Sequence, residues 1–232
     1  MVMTDDEKIV PGVLRPKDAA TLILVKRDGG EARVLMGCRG AGMAFMANKY
    51  VFPGGRMDPG DQRIAVARDL KPEVMARVSL GVTSSRARGL ALAAIRETFE
   101  ETGILIGERG PVPRTRSPAW AKFFAHGFVP RLDTLEMIAR AITPPNRTRR
   151  FDARFFMADA SAIAHTLDAS HHEELLKPSW LTLGEARALD LPGITRRVLD
   201  EVELRLADAP GTARPAPFFR FLRGKTQETA IP

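Results

Sequence analysis

The chain reads as an α/β fold, and three features carry that reading. Two apolar runs, 19–26 (AATLILVK) and 31–38 (EARVLMGC), have strand composition and are joined by Asp28-Gly29-Gly30, a hairpin signal. Residues 86–102 repeat apolar side chains at helical spacing, with Leu90, Ala91, Ala94, Ile95 and Phe99 as the stripe. A later strand pattern at 151–157 (FDARFFM) precedes an amphipathic helix at 193–207, so strands and helices alternate along the chain.

Taken in order, residues 1–18 read as a polar leader with Pro11 and Pro16. The strand pair follows, and then a Gly- and Met-containing loop from Arg39 to Lys49 in which Phe45 and Met46 read as packing residues. Val51 and Phe52 enter a Pro53-Gly54-Gly55 turn, where glycine permits close backbone approach. Between 62 and 88, Ile64, Val66 and Ala67, then Val74, Met75, Val78 and Leu80, recur at helix-like spacing around Pro72, which predicts two short helices. Ser84 or Ser85 is the expected N-cap of the main helix and Gly103 its stop. Ile104-Leu105-Ile106 resumes a strand. Residues 108–146 read as a helical excursion, with a Pro/Arg loop, an aromatic helix at 119–128 and another helix at 134–142. Ser179-Trp180-Leu181 is a late strand, and Thr182 with Glu185 forms a capping box. Ile194, Val198, Val202 and Leu206 give the last helix its stripe. The segment 208–232 reads as a C-terminal tail whose Phe218, Phe219 and Phe221 dock on their own domain or on a dimer partner.

One stretch has no structural need. Glu97, Glu100 and Glu101 stand at i, i+3 and i+4, on one helix face within a rise of ~6 Å. Like charges at these spacings destabilise an isolated helix. A hard divalent cation such as Mg²⁺ wants carboxylate oxygens in this arrangement. The competing reading is a solvated acidic face with Arg96 as an ion-pair partner. Adjacent His171 and His172 point apart in regular backbone and are poor candidates for metal ligands.

The Gly54-Gly55 turn and the acidic helix together resemble the Nudix hydrolase family, whose box reads G-x5-E-x7-R-E-U-x-E-E-x-G-U with U a bulky aliphatic residue. Gly55 fits the opening glycine, Arg96-Glu97 the R-E pair, Glu100-Glu101 the paired glutamates, Gly103 the closing glycine and Ile104 the last aliphatic position. Thr98 occupies the other aliphatic slot, with Phe99 one place beyond, and Asp61 stands where the first glutamate belongs. Residues 62–95 replace the seven expected ones, an insertion of 27. A box split in this way resembles the branch of the peroxisomal coenzyme A diphosphatase. So do the stretch from Arg39 through Phe45-Met46 to Gly55 and the run Arg150-Phe151-Asp152-Ala153-Arg154-Phe155-Phe156.

The resemblance implies an α/β/α sandwich with a mixed central sheet over 19–207, carrying a helical insertion (62–88) and the second helical excursion. It implies metal-dependent cleavage of a diphosphate linkage, with Mg²⁺ or Mn²⁺ held by Glu97, Glu100 and Glu101. Arg96 would fix a box glutamate by ion pairing. Gly54 and Gly55 would line the site, with Arg39 and Phe45 beside the substrate. The proton acceptor would be Glu101 or a loop glutamate, Glu173 or Glu174, and Asp61 an outer ligand or a cap. The implied substrate is a small nucleotide, coenzyme A or an acyl-coenzyme A. The alternatives are ADP-ribose or NADH, or a ligand-binding regulator that has lost hydrolysis.

Composition sets the remaining expectations. The net charge is +7, and arginine supplies 27 of the 35 basic residues, which suits phosphate contacts and steering of anions. The single Cys38 excludes an intramolecular disulfide. No run approaches the ~20 apolar residues of a membrane span. The first residues lack the basic and apolar regions of a signal peptide, so a cytoplasmic protein is expected, without membrane or specific nucleic-acid partners and with a homodimer left open.

Overall fold

Along the first strand, β1 (Lys17–Asp28), successive side chains enter opposite cores. Ala20, Leu22 and Leu24 pack on one side, Ile23 and Val25 on the other, and all are buried. A strand apolar on both faces belongs in the middle of a sheet covered by helices on each side. The computed structural model describes residues 14–28, 30–40, 48–145, 147–167, 175–209, 211–222 and 224–232, and its layout follows from that strand.

β2 (Glu31–Arg39) returns antiparallel to β1. The two strands then fork: β3 (Tyr50–Val51) pairs with β2, while β4 (Gly54–Arg56) pairs with β1. The chain continues through α1 (Pro72–Val78), α2 (Ser84–Thr102), β5 (Ile104–Arg109), α3 (Pro118–Phe124), β6 (Phe128–Pro130), β7 (Glu136–Ile142), β8 (Phe151–Asp159), β9 (Ile163–Thr166) and β10 (Leu175–Thr182). It closes with α4 (Leu183–Ala188), α5 (Gly193–Ala207) and a hairpin of β11 (Ala216–Leu222) and β12 (Lys225–Ile231). The main sheet runs β10-β2-β1-β8-β7-β11-β12, mixed because β1 with β8 and β7 with β11 are parallel. β6, β5 and β9 form a second, three-stranded sheet. One core packs α1, α2 and α3 against the main sheet, and the other packs α4 and α5 on its opposite face. The expected sandwich is therefore present.

Four expectations are corrected. Residues 134–142 are not a helix: EMIARAI forms β7, because its pairing along β8 outweighs a weak helical propensity. The excursion 108–146 is thus mixed, although its aromatic helix stands as α3. Only one insertion helix forms. After a 3-10 turn at Asp61–Arg63, residues 64–71 run without helix and tie to the segment after β6, with Ala67 N donating to Pro130 O and Leu132 N to Arg68 O, each at 2.8 Å. Thr83, not a serine, caps α2, its hydroxyl accepting from Arg86 N, so the helix opens at Ser84. The segment from 208 docks on its own domain as expected, and does so as a strand, β11, beside β7 in the main sheet. The leader also ends earlier than expected, since β1 begins at Lys17.

The α2 stop at Gly103 (φ 70°), the Thr182–Glu185 capping box and the bounds of α5 agree with expectation. Among the described residues no helix is long and apolar enough to cross a membrane.

Candidate active site

The fork between β1 and β2 brings the glycine turn under α2. Gly54 N donates to Glu101 Oε2 at 2.9 Å. One residue on, a Cβ built at Gly55 would lie 2.4 Å from the Glu97 carboxyl carbon, so only glycine lets that carboxylate rest on the backbone. Two of the three helix glutamates are therefore positioned by the turn that the sequence places 42 to 47 residues earlier. The helix dictates the rest. Leu90, Ala91, Ala94 and Ile95 are fully buried against the sheet, and the periodicity that buries them turns the glutamates toward the fork.

Arg96 is the hub. Its Nη1 donates to Glu97 Oε1 at 2.8 Å and to Glu100 Oε2 at 2.7 Å. Its Nη2 donates to the Arg56 carbonyl at 2.8 Å and to Asp61 Oδ2 at 3.1 Å, while Nε donates to Asp61 Oδ1 at 3.0 Å. The guanidinium is nearly buried, at 4 % exposure. Burial alone would pull its pKa down. The hydrogen bonds it donates to Asp61 and the charges of Glu97, Asp61 and Glu100 more than offset that, and hold it above the ordinary arginine value.

Asp61 is held inside the protein at the start of the insertion. It is 1 % exposed, and both its oxygens are taken by Arg96, by Trp120 Nε1 at 2.8 Å and by Asp58 N at 2.8 Å. Trp120, from α3, is the contributor that sequence reading missed. Its residue type held the one available signal, because a buried indole N–H requires an acceptor.

Arg39 closes β2, its Nε buried with no hydrogen-bond partner among the described residues. Phe45, Glu173 and Glu174, like His171 and His172, lie outside the described residues. Glu97, Glu100 and Glu101 have the donor chemistry of a hard-cation site. Their present arrangement is organised by Arg96 and Gly54, and no group of three His, Cys, Asp or Glu converges as a metal cluster among the described residues.

A mixed sheet between two helical layers, with a glycine turn beneath a glutamate-bearing helix, has known counterparts. A crystal structure of a Nudix hydrolase from Alicyclobacillus acidocaldarius superposes with a TM-score of 0.63 at 26% identity, covering 82% of this chain and 91% of that one. This is the Nudix fold. Nudix hydrolase 7 of Caenorhabditis elegans is 28% identical over 152 residues, 61% of this chain. The match spans 43% of that relative's length. A looser likeness is the Nudix domain of Shewanella oneidensis NrtR, solved with ADP ribose, at a TM-score of 0.48 and 11% identity over 84% of this chain and 90% of that one. No family model matches the chain. The Alicyclobacillus structure and the Caenorhabditis relative both support the Nudix hydrolase family.

Proposed function

We propose that this chain is a metal-dependent Nudix hydrolase that cleaves the diphosphate linkage of a nucleoside diphosphate derivative, with coenzyme A or an acyl-coenzyme A as its substrate. The observation that carries the reading is the seating of Glu97 and Glu101 on the Gly54-Gly55 backbone, with Arg96 binding Glu97 and Glu100 from the other side. A catalytic group must be held this firmly to act on a substrate in one geometry.

Glu97, Glu100 and Glu101 would hold Mg²⁺ or Mn²⁺. When bound, such an ion neutralises charge on the diphosphate oxygens and makes water more acidic. Glu100 is the most open of the three, its side chain 35% exposed, which suits a ligand that must rearrange as the ion enters. Glu101, pinned by Gly54 N, or Glu173 or Glu174 would accept the proton of the attacking water. Arg96 is a positioning residue: it fixes Glu97 and Glu100 and, through Asp61, ties them to the start of the insertion. Arg39, with its unused Nε–H, would bind a phosphate or carbonyl oxygen of the substrate.

The test is a substrate panel with Mg²⁺ and Mn²⁺: coenzyme A, acetyl-coenzyme A, ADP-ribose, NADH and a nucleoside triphosphate, with Glu100→Gln as control. Preference for the coenzyme A compounds supports the full proposal. Preference for ADP-ribose or NADH keeps the chemistry and removes the substrate. Tight binding without turnover of any compound would overturn the enzyme in favour of a regulator.

A further inference from the structure

The insertion that splits the box builds a second feature, at the opposite end of α2 from the glutamates. Residues 81–83 and Arg86 form one wall of an open cleft of about 1000 Å³, and Lys17, Asp18, Arg56 and Met57 are among those forming the other. Arg86 and Glu97 are eleven residues apart, ~16 Å along the helix axis, so the cleft lies beside the glutamate cluster without including it.

Its charge is unbalanced. Lys17 is exposed and has no ion-pair partner among the described residues. Arg56 meets only Asp58, loosely, at 3.7 Å. The one carboxylate in the walls, Asp18, is shared between Arg86 and the fully buried Arg154. Arg154 lies behind the wall and pairs with Asp152 at 2.9 Å as well as with Asp18, so Asp18 is not left to Arg86 alone. The first-turn N–H groups of α2 at Ser84 and Ser85, next to Thr83 in the wall, precede the first N–H satisfied by the cap, that of Arg86. Lys17, Arg56 and Arg86 line the cleft against Asp18, with Asp58 meeting Arg56 from outside the lining, and this remaining excess of positive charge around a polar cleft forms an anion site.

We propose that this cleft binds the phosphate of a phosphomonoester, gripped by Lys17, Arg56 and Arg86. The phosphate has two possible sources: a peripheral phosphate of the substrate itself, or a separate phosphorylated small molecule. The site does not depend on the hydrolase reading, because no glutamate of the box takes part in it.

The test follows backbone amide resonances of the metal-free full chain during titration with inorganic phosphate. The wild type should show saturable shifts centred on residues 82–86. In the double variant Lys17→Ala/Arg56→Ala the dissociation constant should rise at least tenfold, and in Glu100→Gln it should not change. Neither wall residue contributes its side chain to the core, so the double variant keeps its fold, which its unchanged urea midpoint would verify. Shifts centred on Gly54, Gly55 and Glu97 to Glu101, or a double variant that binds as tightly as wild type, would overturn the site. A second arm separates the sources. If the double variant raises KM for coenzyme A but not for dephospho-coenzyme A, the phosphate belongs to the substrate. If it alters neither while phosphate binding is lost, the ligand is a separate molecule.

Discussion

The Asp61 carboxylate grips the Arg96 guanidinium side-on, Nε to Oδ1 at 3.0 Å and Nη2 to Oδ2 at 3.1 Å, across 35 positions of sequence. The 27 additional residues leave and rejoin the box between these two groups. An aspartate in place of the family's glutamate still closes the loop onto the helix. The pair ties the start of the insertion to the glutamate-bearing helix: Arg96 binds Glu97 and Glu100, and Asp61 binds Arg96.

Asp61→Asn tests that chain of dependence. Glu97 and Glu100 still neutralise Arg96, but the amide nitrogen of Asn must face one of the buried donors that Asp61 now accepts from, which costs about 1–3 kcal/mol. The urea midpoint should fall accordingly. Trp120 loses its anionic acceptor in the same step, so its near-UV circular dichroism should change as well. An unchanged midpoint would show that the insertion is held by other contacts.

Gly55→Ala places a methyl 2.4 Å from the Glu97 carboxyl carbon. Crowding of this kind costs about 1–3 kcal/mol, and here the displaced group is one of the box glutamates. Turnover should drop by more than tenfold while stability falls only modestly. Adding Glu97→Ala to Gly55→Ala should recover part of the lost stability and none of the turnover. Such coupling is expected of residues in direct contact.

These contacts show where the sequence was legible and where it was not. The β1–β2 hairpin, α2 with its Gly103 stop, β8, the Thr182 cap and α5 were readable because periodicity, turn chemistry and capping are local. β7 was not, since EMIARAI has no strand signature of its own and becomes a strand only by lying between β8 and β11. Of the site, Glu97, Glu100 and Glu101 and their arginine were legible from spacing. The role of Asp61 and the presence of Trp120 were not, because both depend on how the insertion and α3 fold back, which no local pattern encodes. The tail's three phenylalanines foretold docking, but the strand geometry of β11 came from its neighbour.

Asp133 offers a pH test away from the site. Two hydrogen bonds from Arg131, Nε to Oδ1 and Nη2 to Oδ2, both 2.8 Å, hold its carboxyl below the usual aspartate range. The unfolded value is about 3.9. A carboxylate depressed in the folded state stabilises it fully above the unfolded pKa, and this contribution fades as pH falls through the lower folded value. Wild type should therefore be more stable than Asp133→Asn at pH 7. The difference should shrink below about pH 4, the unfolded value, and urea midpoints at pH 7, 4 and 2.5 would record the trend. A difference that grows on acidification would contradict the sign.

Glu100→Gln separates chemistry from structure most cleanly. The substitution removes one charge at nearly constant shape. Glu100 is the most exposed of the three glutamates, and it pairs with Arg96, which keeps Asp61 and Glu97 as anions. The stability change should stay within about 1 kcal/mol, the range of partly exposed ion pairs. Turnover of the best panel substrate should fall by at least 100-fold, as expected when a residue acts directly on reacting charge. Glu101→Gln should differ in kind. Glu101 is 3% exposed and accepts from Gly54 N, so its amide would lose a charge-assisted bond to the turn and lower both stability and turnover. If instead Glu100→Gln keeps wild-type turnover while Glu101→Gln abolishes it, the reactive cluster is centred deeper under the glycine turn, and Glu100 serves only to hold Arg96.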